Sequence, residues 1–218
     1  GWWRPRGCLA RQHTGGGRHI VGLAKALRGG LIPVGAVVMS ARIYDSVYGA
    51  LTRSIVHTST FSENSLAMRA GLATLDVLEQ EHLGERAASL GTALRAQLTE
   101  ALSGYEMIEQ VRGIGMLNGI VFRAPRSLSL RIPFETLSRI HSAMFGQLVV
   151  MRLFQEHRIL TQICGNNFMV LKAAPPLVAD EPQIDEFVGA IHAVVEAMHA
   201  SPSFWTEAFG LARRAVNV

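Results

Sequence analysis

Leu90, Leu94, Leu98 and Leu102 recur at every fourth position, and four leucines along one side of a helix must pack on something. The helical region that carries them opens near Glu63, breaks near Gly84 and stops at Ser103 and Gly104. After that stop the texture changes. "IEQVRGIGMLNGIVF" turns to β character, and "NNFMVLKAAPPLV" supplies another strand, ended by Pro175 and Pro176. Between them "HSAMFGQLVVMRLFQEHRIL" is long enough for a helix. Ile184, Phe187, Val188, Ile191, Val194, Val195 and Met198 then mark an amphipathic helix of 3.6-residue period. Upstream, Val34–Met39 is rich in β-branched residues between Pro33 and Ser40, which predicts an interior strand, and "ARIYDSVYGAL" reads as a short helix. Alternating strands and helices put the chain in the α/β class, or in α+β layers.

A hydrophobic fraction of 49% over 218 residues is enough for one large core or two small ones. The longest apolar runs, "LIPVGAVVM" and "FMVL", fall short of the roughly 18 to 20 residues that span a bilayer, so no membrane partner is expected. "GWWRPRG" is not followed by an apolar signal-peptide core, which makes a cytoplasmic location the expectation. Cys8 and Cys164 stand far apart, without metal-ligand spacing, and read as free thiols. The net charge of +4 comes from scattered arginines rather than a basic block, so no nucleic-acid partner is expected.

Several catalytic signatures are excluded. Gly113, Gly115 and Gly119 are spaced GxGxxxG, one residue too long for a dinucleotide fingerprint, and "IVF" continues a strand where a helix should begin. Neither GxSxG nor a P-loop occurs, no two histidines pair as metal ligands on one helix, and His57 reads as a structural neighbour of the Ser-Thr turn.

The chain has only two lysines, Lys25 and Lys172, beside nineteen arginines. Lysine can lose its proton and attack a carbonyl, which arginine cannot. From the residues alone, Lys25 is either a solvated loop lysine or a nucleophile. Leu23, Ala24, Ala26 and Leu27 favour a neutral amine by desolvation, and Gly29 and Gly30 allow close backbone approach to a ligand. "TFSE" has capping-box form, Thr60 followed three residues later by Glu63, which places Thr60 near a helix N-terminus able to attract an anion or serving only as a cap.

"LAKALRGGLIPVGAVVMS" resembles the Schiff-base lysine segment of class III aminotransferases, the pyridoxal-phosphate enzymes of the ornithine, acetylornithine and ω-amino acid type. "HTSTFSENSLAMRAGLATLDVL" is similar to the family's next signature. "VRGIGMLNGIVF" resembles the start of its small C-terminal domain, and "MVLKAAPPLV" its late strand. The resemblance implies the C-terminal part of a fold-type I transferase: an atypical segment over 1–20, the end of the large cofactor-binding domain over 21–104, the small α+β domain over 105–200 and a helical tail over 201–218.

It further implies pyridoxal 5'-phosphate as cofactor, held by Lys25 as a Schiff base, with the freed amine then shuttling a proton. Thr60 is implied to bind the cofactor phosphate of the neighbouring subunit in a homodimer, with Ser59 lining the substrate entrance. The block departs from the commoner Gly-Gly-Asn-Pro pattern, reading Ser62, Glu63, Asn64 and Ser65 instead. Lys172 falls where many relatives carry an arginine that grips the substrate carboxylate; it keeps the charge but loses the bidentate fork, and a strand-end lysine without substrate contact is the alternative.

The partners implied are an amino donor and a carbonyl acceptor, exchanging an amino group between an amine or amino acid and an aldehyde or keto acid. A racemase, aminomutase or decarboxylase would use the same lysine chemistry. The resemblance covers about the C-terminal half of such an enzyme and begins abruptly at "IVGLAKAL" after twenty residues with four arginines and no acid. A truncated or frame-shifted gene product is therefore expected, either part of a longer enzyme or a non-catalytic interaction module.

Overall fold

The computed structural model describes residues 19–30, 32–200 and 202–216. The atypical N-terminal segment up to Arg18, with Cys8, lies outside them. The chain divides into two compact units, one ending at Glu85 and the other beginning at Arg86.

In the first unit, β1 (Ile20–Ala24) pairs antiparallel with β2 (Gly35–Met39), with Leu23 opposite Ala36 and Ala24 opposite Gly35. The Ser40 amide donates to the His19 carbonyl at 2.9 Å and ties the open end of the hairpin. The expected strand over Val34–Met39 is present, but its interior position is corrected. Its only described pairing is with β1, and Val37 and Val38, which point to opposite faces, are each 56% exposed. β-Branched content made the strand, but burial depends on the layers packed against it, which composition does not supply.

Helix α1 (Ala41–Tyr48) follows as expected, and then α2 (Ser65–Gln80). The helical region begins two residues after Glu63 and breaks at His82 rather than Gly84; Glu63 and His82 have φ of 57° and 49°, left-handed conformations that cannot continue a helix. The capping box is likewise corrected. Asn64 is the N-cap, its side-chain oxygen accepting the Ala67 amide at 3.0 Å, and Thr60 lies in the turn before it.

The second unit is built around a four-stranded antiparallel sheet in the order β3 (Ile108–Ile114), β4 (Leu117–Phe122), β6 (Val170–Ala173), β5 (Gln162–Cys164). Its inner face carries the row Val111, Ile120, Leu171 and Ile163, three of them buried. Onto the same core come Leu94 and Leu98 of α3 (Leu83–Ala101), Leu102 just after it, and Ile184, Ile191, Val194 and Met198 of α6 (Glu181–Ala200). The leucine stripe thus finds its partner. Helix α5 (Met144–His157) contributes Phe145, Leu148, Val149 and Leu153, and α7 (Pro202–Val216) contributes Phe204 and Trp205.

Helix α4 (Leu128–Ile140) has no counterpart in the sequence reading. Pro133 interrupts its pattern and removes one backbone donor, yet Leu130, Phe134 and Leu137 bury one side, and that packing outweighs the proline. GxGxxxG is a hairpin: Gly115 and Met116 form a two-residue turn between β3 and β4, with Gly115 at φ 52°. Gly91 of α3 sits against that turn so closely that a Cβ would lie 2.0 Å from the Gly115 carbonyl oxygen. Arg95, one turn further along α3, donates to the same oxygen at 3.1 Å and to Asn118 Oδ1 at 3.0 Å, satisfying the buried Asn118. No described helix is long and apolar enough to cross a membrane.

Candidate functional site

Lys25 follows the last residue of β1 and opens a single 3₁₀ turn, Lys25–Arg28. Its φ is 56°, the left-handed region that costs a residue with a Cβ about 1 to 2 kcal/mol. Such a conformation persists only where surrounding structure holds it, and functional sites are where it concentrates. Here the turn is seated on α2: Leu27 is buried, its carbonyl faces the Gly71 position, and a Cβ on Gly29 (φ 59°) would stand 3.2 Å from Thr74 Oγ1.

Desolvation by sequence neighbours is corrected. Ala24, Lys25 and Ala26 are exposed and only Leu27 is buried, so apolar residues adjacent in the chain do not enclose the amine. Among the described residues Lys25 Nζ has no hydrogen-bond or ion-pair partner.

Ser59 and Thr60 stand in the same unit, in the exposed turn ahead of α2. Ser62 Oγ accepts the Ser59 amide at 3.0 Å and lies 3.0 Å from Ser59 Oγ, while the Ser62 amide donates to the Ser59 carbonyl. This leaves the Thr60 hydroxyl without a partner among the described residues. An amine without a partner among the described residues and a group of exposed hydroxyls are of the chemical kinds that could hold a phosphate-bearing aldehyde. His57 is exposed.

Lys172 belongs to the second unit. It is half-buried on β6, and its Nζ donates to Gln162 Oε1 at 3.5 Å. Register places Lys172 opposite Gly119, and Gly119 opposite Arg112, so one row of the outer sheet face reads Arg112, Gly119, Lys172, Gln162. Arg112 lies sixty residues from Lys172 in the chain and joins its row only through the pairing of three strands.

The titratable groups with shifted behaviour also lie in the second unit. Glu106 is held below its ordinary 4.5 by the Ser127 hydroxyl, then by the Arg126 and Ser127 amides, which donate at 2.8 and 3.1 Å. These bonds fasten the segment just before β3 to the residues just before α4. Tyr105 is raised above 10.0 by burial and then by the charge of Glu196, and its hydroxyl lies 3.1 Å from His192 Nε2. Among the described residues no group of three or more His, Cys, Asp or Glu could hold a metal ion.

Residues 6–195 match the family described as aminotransferase class-III. The diaminobutyrate–2-oxoglutarate aminotransferase of Rhizobium meliloti is 35% identical over 179 residues, 82% of this chain and 36% of that protein. The mitochondrial ornithine aminotransferase of Rattus norvegicus is 33% identical over 187 residues, 86% of this chain and 37% of that one. A solved structure of the ornithine aminotransferase from Toxoplasma gondii, described as having PLP at partial occupancy in its active site, superposes with a TM-score of 0.73 at 28% identity, over 90% of this chain and 41% of that chain. The chain thus spans well under half the length of the proteins it matches.

Proposed function

The chain belongs to the class-III aminotransferases, and from that membership we propose that Lys25 is the cofactor lysine of a pyridoxal 5'-phosphate enzyme that moves an amino group between an amine or amino acid and an aldehyde or keto acid. The observation that carries this reading is the Lys25 turn: an exposed amine, without a partner among the described residues, at φ 56° on a support formed by Leu27, Gly29 and α2. Bound pyridoxal phosphate supplies a conjugated ring that withdraws electrons from the substrate carbon.

Four of the chain's residues are given roles in this reading. Lys25 Nζ would hold the cofactor covalently and, when a substrate amine takes its place, would serve as the base that carries a proton between the substrate carbon and the cofactor. Arginine, charged at all working pH values, can do neither. The Thr60 hydroxyl donates to a cofactor phosphate, in a homodimer to that of the neighbouring copy, and Ser59 borders the entrance. Lys172 offers a positive charge to a substrate carboxylate, and its lack of a planar fork admits amines and aldehydes with other tails. The names of the similar proteins, which act on diaminobutyrate and ornithine, support substrates bearing both an amine and a carboxylate.

The test is the absorbance spectrum of the purified chain titrated with pyridoxal phosphate, beside Lys25→Ala. The reading predicts a saturable long-wavelength band that the variant lacks. A band of equal strength in the variant, or none in either protein, would refute it.

A further inference from the structure

We propose that His199 is a proton-sensitive latch in the second unit: as the neutral Nδ1–H tautomer it holds the buried backbone amide of Met107 at the entry to β3, and a proton added at Nε2 releases it. The inference rests on the second unit alone and is independent of the role given to Lys25.

Two bonds fix the state of the ring. His199 Nδ1 lies 2.7 Å from the Val195 carbonyl oxygen, one turn back along α6, and a carbonyl can only accept, so Nδ1 carries a proton. The Met107 amide donates to Nε2 at 3.4 Å, so Nε2 carries none. Turning the ring over would put carbons at both positions and lose both bonds. The imidazole is therefore neutral, with one nitrogen a donor and the other an acceptor. Met107 is fully buried, and its carbonyl is taken by the Arg123 amide at 2.9 Å. A buried amide needs an acceptor, and here the acceptor is a side chain 92 residues away in the chain. A solvent proton added to Nε2 sets one N–H against another, and the Met107 bond is lost. Histidine is the side chain that ordinarily makes such a change nearest neutral pH.

The charged and titratable groups around the ring come from several elements. From the segment before β3 come Tyr105, whose ring centre stands 4.9 Å from that of His199, and Glu106, whose carboxylate is within electrostatic reach of it. His192 and Glu196 precede His199 on α6, and the Tyr105 hydroxyl lies 3.1 Å from His192 Nε2. Arg123, after β4, donates from Nε to the Glu106 carbonyl at 2.6 Å. On the helices packed against α6, Arg152 of α5 is paired with Glu156 and with Glu207 of α7. Met107 holds the neutral ring, whereas Glu106 and the C-terminal end of α6 attract the charged one. The two protonation states thus have different partners. Glu106 also accepts from Ser127 ahead of α4, so a charged His199 draws on the same residue that fastens that helix.

The experiment is a pH titration of the whole chain by NMR, reading the His199 ring nitrogens and the Met107 amide together. The neutral ring should carry its proton on Nδ1. Protection of the Met107 amide against hydrogen exchange, corrected for the intrinsic pH dependence, should fall about tenfold with the same midpoint as the ring. His199→Phe keeps a flat ring but offers no acceptor, and should show the low protection at every pH. His199→Gln, whose side-chain oxygen accepts and does not titrate, should keep the protection and lose the step. His192→Gln removes the other histidine beside Tyr105 and should leave the step in place. If His199→Phe fails to fold, the ring tautomer and the shared midpoint in the parent chain still decide. A neutral ring with its proton on Nε2, a Met107 protection that does not follow the ring, or a step that survives in either His199 variant would overturn the proposal.

Discussion

Replacing Gly91 by alanine should destabilise the second unit, although alanine is the better helix former by about 1 kcal/mol. Gly91 lies inside α3, where helix propensity alone predicts a gain. The added Cβ, however, would stand 2.0 Å from the Gly115 carbonyl oxygen and 2.2 Å from its carbon. Both are backbone atoms of a two-residue turn, so no side-chain rotation can relieve the overlap. Helix and hairpin must separate by about 1 Å, loosening the Arg95 bond to Gly115 and the packing of Leu94 and Leu98 on the sheet. Overpacking of this kind costs about 1 to 3 kcal/mol, and the rigidity of both partners argues for the upper end. Set against the propensity gain, the net loss is about 2 kcal/mol.

Gly189, exposed on α6 with nothing within 4 Å of its would-be Cβ, is the internal control, and Gly189→Ala should stabilise by about 0.5 to 1 kcal/mol. Urea unfolding followed by circular dichroism measures both. Equal and positive effects of the two substitutions would refute the account of how α3 meets the sheet.

Asn64→Ala removes the acceptor of the Ala67 amide and should cost about 1 kcal/mol in the same assay, whereas Thr60→Ala, if Thr60 is not the cap, should change stability by much less. Because the folded state lowers the Glu106 pKa, the carboxylate adds stability that is fully present above its ordinary value of 4.5 and is lost as pH falls through the lowered one. Glu106→Gln should therefore flatten the acid limb of the stability–pH profile, and a variant whose acid limb matches the parent's would contradict the bonds from Ser127 and Arg126.

What could be read from the sequence divides along physical lines. The leucine stripe and the helix from Ile184 to Met198 were legible because a 3.6-residue apolar period has one common solution, and the structure buries both. The four family blocks were legible because their order is specific. Helix α4 was hidden by Pro133, whose local penalty is overridden by Leu130, Phe134 and Leu137, three contacts that exist only after folding. Strand β5 has three residues, too few for a period. Thr60 and Glu63 had the spacing of a capping box, yet Glu63 adopts φ 57° and hands the cap to Asn64. Val37 and Val38 read as interior by composition alone, which cannot count the layers around a strand. Arg112 shows the limit most clearly: no spacing in the chain relates residues 112, 119, 162 and 172, and only antiparallel register aligns them.

The central claim, that Lys25 is the cofactor lysine, is tested most directly by borohydride reduction of the chain after incubation with pyridoxal phosphate, followed by peptide mass mapping. With two lysines in 218 residues, the assignment has few competitors. The account predicts a stable adduct on the peptide containing Lys25, approaching one per chain, and little on Lys172. Adduct distributed equally between the two lysines, or confined to Lys172, would contradict it.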